Sequence, residues 1–167
     1  DWLDVQRLGG PGFAAAFSDL DHDGDVDLYV VNDKRFGNVL WRNDGPGCSG
    51  WCFTDVSATS GAERPAFSMG ISVGDFDSDG DFDLYYSSVD EMILLQNETA
   101  QGALNWNDVS EAMQCTLPAI GWGSVFADFD NDRDLDLYLA TVNDQPGLSN
   151  RLYRNEFPQP FDDVSAH

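Results

Sequence analysis

Aspartates at five alternate positions, followed by Leu-Tyr, occur three times in this chain. Asp19, Asp21, Asp23, Asp25 and Asp27 form the first set. Asp75, Asp77, Asp79, Asp81 and Asp83 form the second, and Asp128, Asp130, Asp132, Asp134 and Asp136 the third. Carboxylates crowded this closely repel one another unless a cation lies among them. Calcium is a hard cation that takes about six to eight oxygen ligands, so three Ca²⁺ per chain are expected. The spacing predicts side-chain ligands at loop positions 1, 3, 5 and 9. Position 7, which is Asp25, Asp81 or Asp134, is expected to contribute its backbone carbonyl. Gly24 and Gly80 at position 6 permit a sharp turn with positive φ. Arg133 holds that place in the third copy, where a side chain costs on the order of 1 kcal/mol. Its cation also falls near the metal, so the third site is expected to be the weakest. The apolar residue at position 8 (Val26, Phe82, Leu135) is expected to anchor the loop in the core.

An EF-hand is the obvious competitor. It requires a carboxylate at position 12 and a helix on each side. Position 12 is Val30, Tyr86 and Leu139, and a β-type run follows each loop, so the EF-hand is excluded.

The loops belong to a longer repeat, with first residues at 19, 75 and 128. An aromatic-x-Asp-Val segment recurs as Trp2-Leu3-Asp4-Val5, Phe53-Thr54-Asp55-Val56, Trp106-Asn107-Asp108-Val109 and Phe161-Asp162-Asp163-Val164. A small or apolar run precedes each loop. A segment ending in Asn follows each one: Leu40-Trp41-Arg42-Asn43, Leu94-Leu95-Gln96-Asn97 and Leu152-Tyr153-Arg154-Asn155. Each unit therefore reads as four short strands rich in aromatic and β-branched residues, with Gly, Pro, Asn and Asp between them. Four-stranded units of this length are the signature of β-propeller blades. The expected fold is all-β, with tandem four-stranded blades: 1–52, 53–105 and 106–160, and 161–167 as the start of a fourth. Propellers close with about four to eight blades. Three are expected to continue into further blades, of the same protein or of neighbouring copies, the more so because both ends fall at one phase of the repeat. Phe13, Phe17, Trp122 and Phe126 are candidates for the outward faces.

Composition narrows the function classes. A net charge of −22 argues against nucleic acid, which needs basic surface. No run of 18 apolar residues is present, so no membrane insertion is expected. Cys48 and Cys52, separated by Ser-Gly-Trp, read as a short loop disulfide, since zinc finds too few ligands here. Cys115 matches Ala62 by repeat position and reads as a buried small thiol. Asn97-Glu98-Thr99 is an N-glycosylation sequon at a predicted turn, a three-residue pattern that also arises by chance. Trp51, between the two cysteines, is the candidate for an exposed contact; the alternative is an aromatic packed on its own loop. His22 lies inside a loop and His167 is terminal, so no catalytic set is indicated and the chain does not read as an enzyme.

The ordered pattern of a leading glycine, the Asp loop ending in Asp-Leu, then Leu-Tyr-Arg-Asn and Phe-x-Asp-Val-Ser resembles the FG-GAP/VCBS repeat, in its cartilage-acidic and ASPIC/UnbV-associated branch. Copies two (Gly70 to Tyr85) and three (Gly123 to Tyr138) match best, whereas Ala14 stands at the leading glycine of copy one. The resemblance covers essentially the whole chain. It implies an integrin-α-like propeller with calcium in hairpin loops, on secreted or cell-surface proteins. It implies adhesion or binding of a protein or glycan ligand more often than catalysis. The alternative is a self-assembling subunit of an extracellular filament or sheath.

Overall fold

The computed structural model describes residues 10–99, 103–142 and 148–165. Trp2-Leu3-Asp4-Val5 and His167 lie outside the described residues. The described chain forms three four-stranded sheets, each a plain up-and-down antiparallel meander. The first contains β1 (Gly12–Ser18), β2 (Asp27–Asn32), β3 (Val39–Pro46) and β4 (Trp51–Asp55). The second contains β5 (Ile71–Gly74), β6 (Asp83–Tyr86), β7 (Ile93–Asn97) and β8 (Trp106–Asp108). The third contains β9 (Gly121–Ala127), β10 (Asp136–Thr141), β11 (Arg151–Glu156) and β12 (Gln159–Asp163). One helical turn, α1 (Ser57–Ser60), follows β4. No helix among the described residues is long and apolar enough to cross a membrane. Each Asp loop is the connection between the first and second strands of its sheet.

The sheets are out of phase with repeat boundaries drawn at 53, 106 and 161. The aromatic-x-Asp-Val segment is the last strand of a sheet and not the first of the next. Trp41 pairs with Asp55, Leu95 with Asp108, and Tyr153 with Asp163. The Asp-x-Ser that ends the segment fixes this choice. The Ser57 hydroxyl donates to Asp55 Oδ1 at 2.6 Å and accepts the Leu40 N–H at 2.8 Å, tying β4 back to β3. Ser110 repeats both contacts with Asp108 and Leu94. Residues 161–163 thus complete the third sheet rather than begin a fourth.

Period-two alternation assigns the core. Successive strand side chains point to opposite faces, so the middle sheet feeds two apolar layers. Leu84, Tyr86, Ile93 and Leu95 pack with Tyr29, Val31 and Leu40 of the first sheet. Tyr85 and Leu94 pack with Leu137, Leu139, Tyr153 and Phe161 of the third. Burial of each such side chain contributes roughly 1.5–3 kcal/mol. Strand β6 is buried at every position, while Tyr138 on β10 is 39% exposed where its counterpart Tyr85 is 0%. The difference is a missing neighbour: no sheet covers that side of the third sheet among the described residues.

The first strands converge. β5 packs beside both β1 and β9, and Ser72 Oγ lies 2.9 Å from Ser124 Oγ. A side chain at Gly70 would come within 2.7 Å of Gly123 Cα, which accounts for the leading glycine. Phe13 and Trp122 meet here, their rings 6.4 Å apart. These two therefore belong to the inner edge and not to an outward sheet face, whereas exposed Phe17 pairs with Leu28 on the face of the first sheet opposite buried Tyr29, as an outward residue would. Phe126, like Phe13 and Trp122, is misplaced as an outward residue. It packs edge-on against Tyr85 at 6.3 Å, within the second apolar layer.

Candidate metal centre

Each loop is tied by its own aspartates. Position 1 accepts the backbone N–H of position 6: Gly24 to Asp19, Gly80 to Asp75 and Arg133 to Asp128, all at 3.1 Å. Closing the loop this tightly needs left-handed backbone. It occurs at position 6 (Gly24 φ 96°, Gly80 φ 100°, Arg133 φ 88°) and again at position 4 (His22 φ 61°, Ser78 φ 60°, Asn131 φ 65°). Arg133 therefore carries the strain expected of a non-glycine there.

Position 9 is the fixed point. Asp27 and Asp83 are 0% exposed and Asp136 1%. Asp27 Oδ2 accepts the Leu20 N–H at 2.9 Å and Oδ1 the Asn43 N–H at 2.8 Å. Phe76 and Asn97 serve Asp83 in the same way at 3.0 and 2.8 Å. Phe129 and Asn155 serve Asp136 at 2.9 and 2.8 Å. These bonds aim the position 9 carboxylate at positions 1 and 3. Asp19, Asp21 and Asp27 converge with ligand oxygens within 4.8 Å of one another, as do Asp75, Asp77 and Asp83, and Asp128, Asp130 and Asp136.

The other predicted ligands are not in these trios. Position 5 spends an oxygen on the loop: the Asp25 N–H donates to Asp23 at 2.8 Å, Asp81 to Asp79 at 2.8 Å and Asp134 to Asp132 at 3.0 Å. At position 7, the side chains of Asp25, Asp81 and Asp134 stand outside the trios. That of Asp81 lies 3.4 Å from His22 Nδ1 of the preceding loop.

In loops one and two the trios are poor as bare carboxylates. Burial pushes Asp27 up to about 6 and Asp83 up to about 8, although both accept two backbone hydrogen bonds. Burial, aided by neighbouring aspartates, also raises Asp21 and Asp77. In loop one, Asp19 Oδ1 is out of reach of solvent and has no hydrogen-bond partner. A cation among the three carboxylates would satisfy that oxygen and offset the repulsion. An all-oxygen, all-acidic donor set fits a hard divalent cation such as calcium and suits softer metals poorly.

Position 8 does not anchor the first two loops, where Val26 is 52% and Phe82 42% exposed; Leu135 of the third loop is half-buried and lies beside Gly74 of the second sheet. The anchor is position 2, with Leu20 and Phe76 each 1% exposed in the two apolar layers. The backbone N–H of position 2 must point at the buried position 9 carboxylate, which turns its side chain inward and leaves Val26 and Phe82 outside. Phe129, the third position 2 residue, is 42% exposed because no following sheet covers it among the described residues.

The asparagine that recurs in each third strand, at Asn43, Asn97 and Asn155, is a further functional signal legible in the sequence. Its backbone N–H holds the position 9 aspartate, and its side-chain amide donates to the position 8 carbonyl. Those distances are 3.1 Å to Val26, 3.2 Å to Phe82 and 3.0 Å to Leu135. Asn97 and Asn155 also reach the preceding sheet's loop, donating to the Leu20 carbonyl at 2.9 Å and the Phe76 carbonyl at 2.5 Å. This overturns Asn97 as a glycosylation site. The residue is 0% exposed, and its amide is bonded to two carbonyls that a glycan would displace.

Cys48 and Cys52 are joined as a disulfide in the β3–β4 hairpin, and Trp51 at its tip is 54% exposed. Cys115 is buried, with its thiol pushed up to about 12 by burial, so it is unreactive. Its carbonyl accepts the Tyr85 hydroxyl at 2.8 Å, as that of Ala62 accepts the Tyr29 hydroxyl at 2.9 Å.

A family model described as FG-GAP-like repeat matches residues 19–86, from the first loop to the end of β6. Residues 19–86 are therefore similar to an FG-GAP-like repeat. The chain is similar to cartilage acidic protein 1 of Homo sapiens, with 28% identity over 131 residues, which is 77% of this chain and 19% of that protein. The Mus musculus protein is 29% identical over the same shares. That of Xenopus tropicalis is 25% identical over 159 residues, 92% of this chain and 23% of that one. The chain thus spans about a fifth of the length of the curated relatives it matches.

Proposed function

We propose that this chain is a calcium-binding, non-catalytic segment of an extracellular FG-GAP protein that serves adhesion or the binding of a protein or glycan ligand. The observation that carries the reading is the threefold convergence of positions 1, 3 and 9, built each time around a buried aspartate. Positions 5, through Asp23, Asp79 and Asp132, and the backbone carbonyls of Asp25, Asp81 and Asp134 complete the sets, with water in the remaining places. The disulfide supports an oxidising compartment. Extracellular calcium is plentiful enough to fill even weak sites. Calorimetric titration of chelator-stripped protein is expected to find three sites, with loop three weakest because of Arg133. Finding no calcium uptake would sink the reading.

Assembly of copies is the second reading, favoured by the uncovered side of the third sheet. Phe129 and Tyr138 are exposed there, whereas their counterparts Phe76 and Tyr85 are buried under the next sheet. The covering sheet comes either from further blades of the same protein or from another copy. Light scattering at micromolar concentration separates the two. Self-assembly predicts masses at multiples of 18.4 kDa, and a monomer at every concentration would remove it.

A further inference from the structure

Loops one, two and three are joined by an unbroken run of hydrogen bonds that passes from one buried aspartate to the next. Leu20 donates its N–H to Asp27 at 2.9 Å and offers its carbonyl to the Asn97 side chain at 2.9 Å. Asn97 donates its own N–H to Asp83 at 2.8 Å. Phe76 then repeats the part of Leu20, donating to Asp83 at 3.0 Å and accepting from Asn155 at 2.5 Å. Asn155 donates to Asp136 at 2.8 Å. Two residues link each pair of aspartates: Leu20 and Asn97, then Phe76 and Asn155. We propose that Asn97 and Asn155 are positioning residues that couple neighbouring calcium sites, so that adjacent loops fill cooperatively.

The proposal rests on the calcium reading above and adds a regulation to it. Its physical basis is shared ordering. Without an ion, a loop holds mutually repelling carboxylates and its position 2 residue is less firmly held. The asparagine of the next sheet then loses a fixed partner, and the aspartate bound by its N–H loses its aim. The first ion bears the cost of ordering the shared junction, and the second binds to a junction already ordered. The coupling is reciprocal and runs between neighbours. Loops one and three share no junction, so the middle loop must mediate between them.

The test is calcium titration of the stripped full chain in three variants, each lacking one site. Asp19→Asn leaves loops two and three, Asp128→Asn leaves one and two, and Asp75→Asn leaves one and three. The relay predicts that the two adjacent pairs bind cooperatively, the second ion at least about fivefold tighter than the first. It predicts that the separated pair binds as independent sites. Cooperativity in all three would mean coupling through global folding, and in none, independent loops; either result overturns the proposal. If Asp75→Asn does not fold, Asn155→Ala placed in the Asp19→Asn chain decides, because it should abolish cooperativity between loops two and three. Retained cooperativity there would be equally fatal. Wild-type protein that takes up no calcium would instead remove the underlying reading, whereas three ions without the neighbour pattern would remove the coupling alone.

Discussion

Excess chelator is expected to lower the melting temperature of this chain by roughly 15–30 °C. An ion that binds only the folded state adds about 2.7 kcal/mol of stability when present at a hundredfold excess over its Kd. Three such sites sum to about 8 kcal/mol, and a domain of this length shifts by about 2–4 °C per kcal/mol. That is comparable with the whole stability of an ordinary domain, roughly 5–15 kcal/mol. The loops are where sheet order begins, since each one delivers its first and second strands to one another. Differential scanning calorimetry with and without chelator makes the measurement, and an unchanged melt would contradict a structural metal.

The same experiment has a pH signature whose sign follows from burial. In metal-free protein Asp27 is pushed up to about 6 and Asp83 to about 8, both from 3.8. Below 3.8 both are protonated whether the chain is folded or not, and the stability they contribute is fully present. As pH rises from there, the unfolded chain sheds its protons first. The contribution of Asp27 is then lost by about 6 and that of Asp83 by about 8. Metal-free protein should therefore melt higher at pH 4 than at pH 8. Calcium needs these carboxylates ionised, so the loaded protein gains affinity over the same range and releases protons as it binds. The destabilisation by chelator should grow as pH rises through this window. A metal-free melt that does not change between pH 4 and pH 8 would show that neither aspartate is held protonated.

How much of this was legible in the sequence depended on whether the information was local. The loops were, because ligand chemistry is written in residue type at fixed spacing, and position 6 announced its turn through Gly24 and Gly80. The three-sheet, all-β architecture was also legible, from strand-type runs in register with the loops. The phase of the sheets was not. Whether Phe53-Thr54-Asp55 joins the strand before or after it is a pairing decision, made here by Ser57 reaching both Asp55 and Leu40. Position 8 misled because Val26 and Phe82 are apolar. Position 2 is apolar too, in Leu20, Phe76 and Phe129, and what selects it is the direction of a backbone N–H. Asn97 misled differently: a three-residue sequon outweighed a three-copy register. Asn43 and Asn155 occupy the same place without a sequon, which marks the asparagine as structural; Thr99 supports it by donating its N–H and hydroxyl to Asn97 Oδ1.

Asp83→Asn is expected to cost far more than Asp81→Asn, although the two residues are two apart and both belong to the same acidic run. Asp83 uses one oxygen for the Asn97 N–H and the other for the Phe76 N–H. An asparagine retains one acceptor, and its NH₂ group must face the remaining N–H, donor against donor. A buried donor left unpaired costs about 1–3 kcal/mol. Loss of the loop-two ion removes about 2.7 kcal/mol more at a hundredfold excess over Kd, so the total in calcium is about 4–6 kcal/mol. The Asp81 side chain, 20% exposed and turned to His22, stands outside the convergent trio. Its amide should cost no more than about 0.5–1 kcal/mol, because its carbonyl is untouched. Chelator supplies the control. In metal-free protein at pH 8 the wild-type chain carries the burden of a buried carboxylate that Asp83→Asn does not, so the gap between the two should narrow. Thermal melts of both variants, with calcium and with chelator, read the four values directly. Equal losses for the two variants in calcium would mean that position 9 is not the fixed point of the site, and a gap that persists undiminished in chelator would mean that Asp83 serves packing and not the metal.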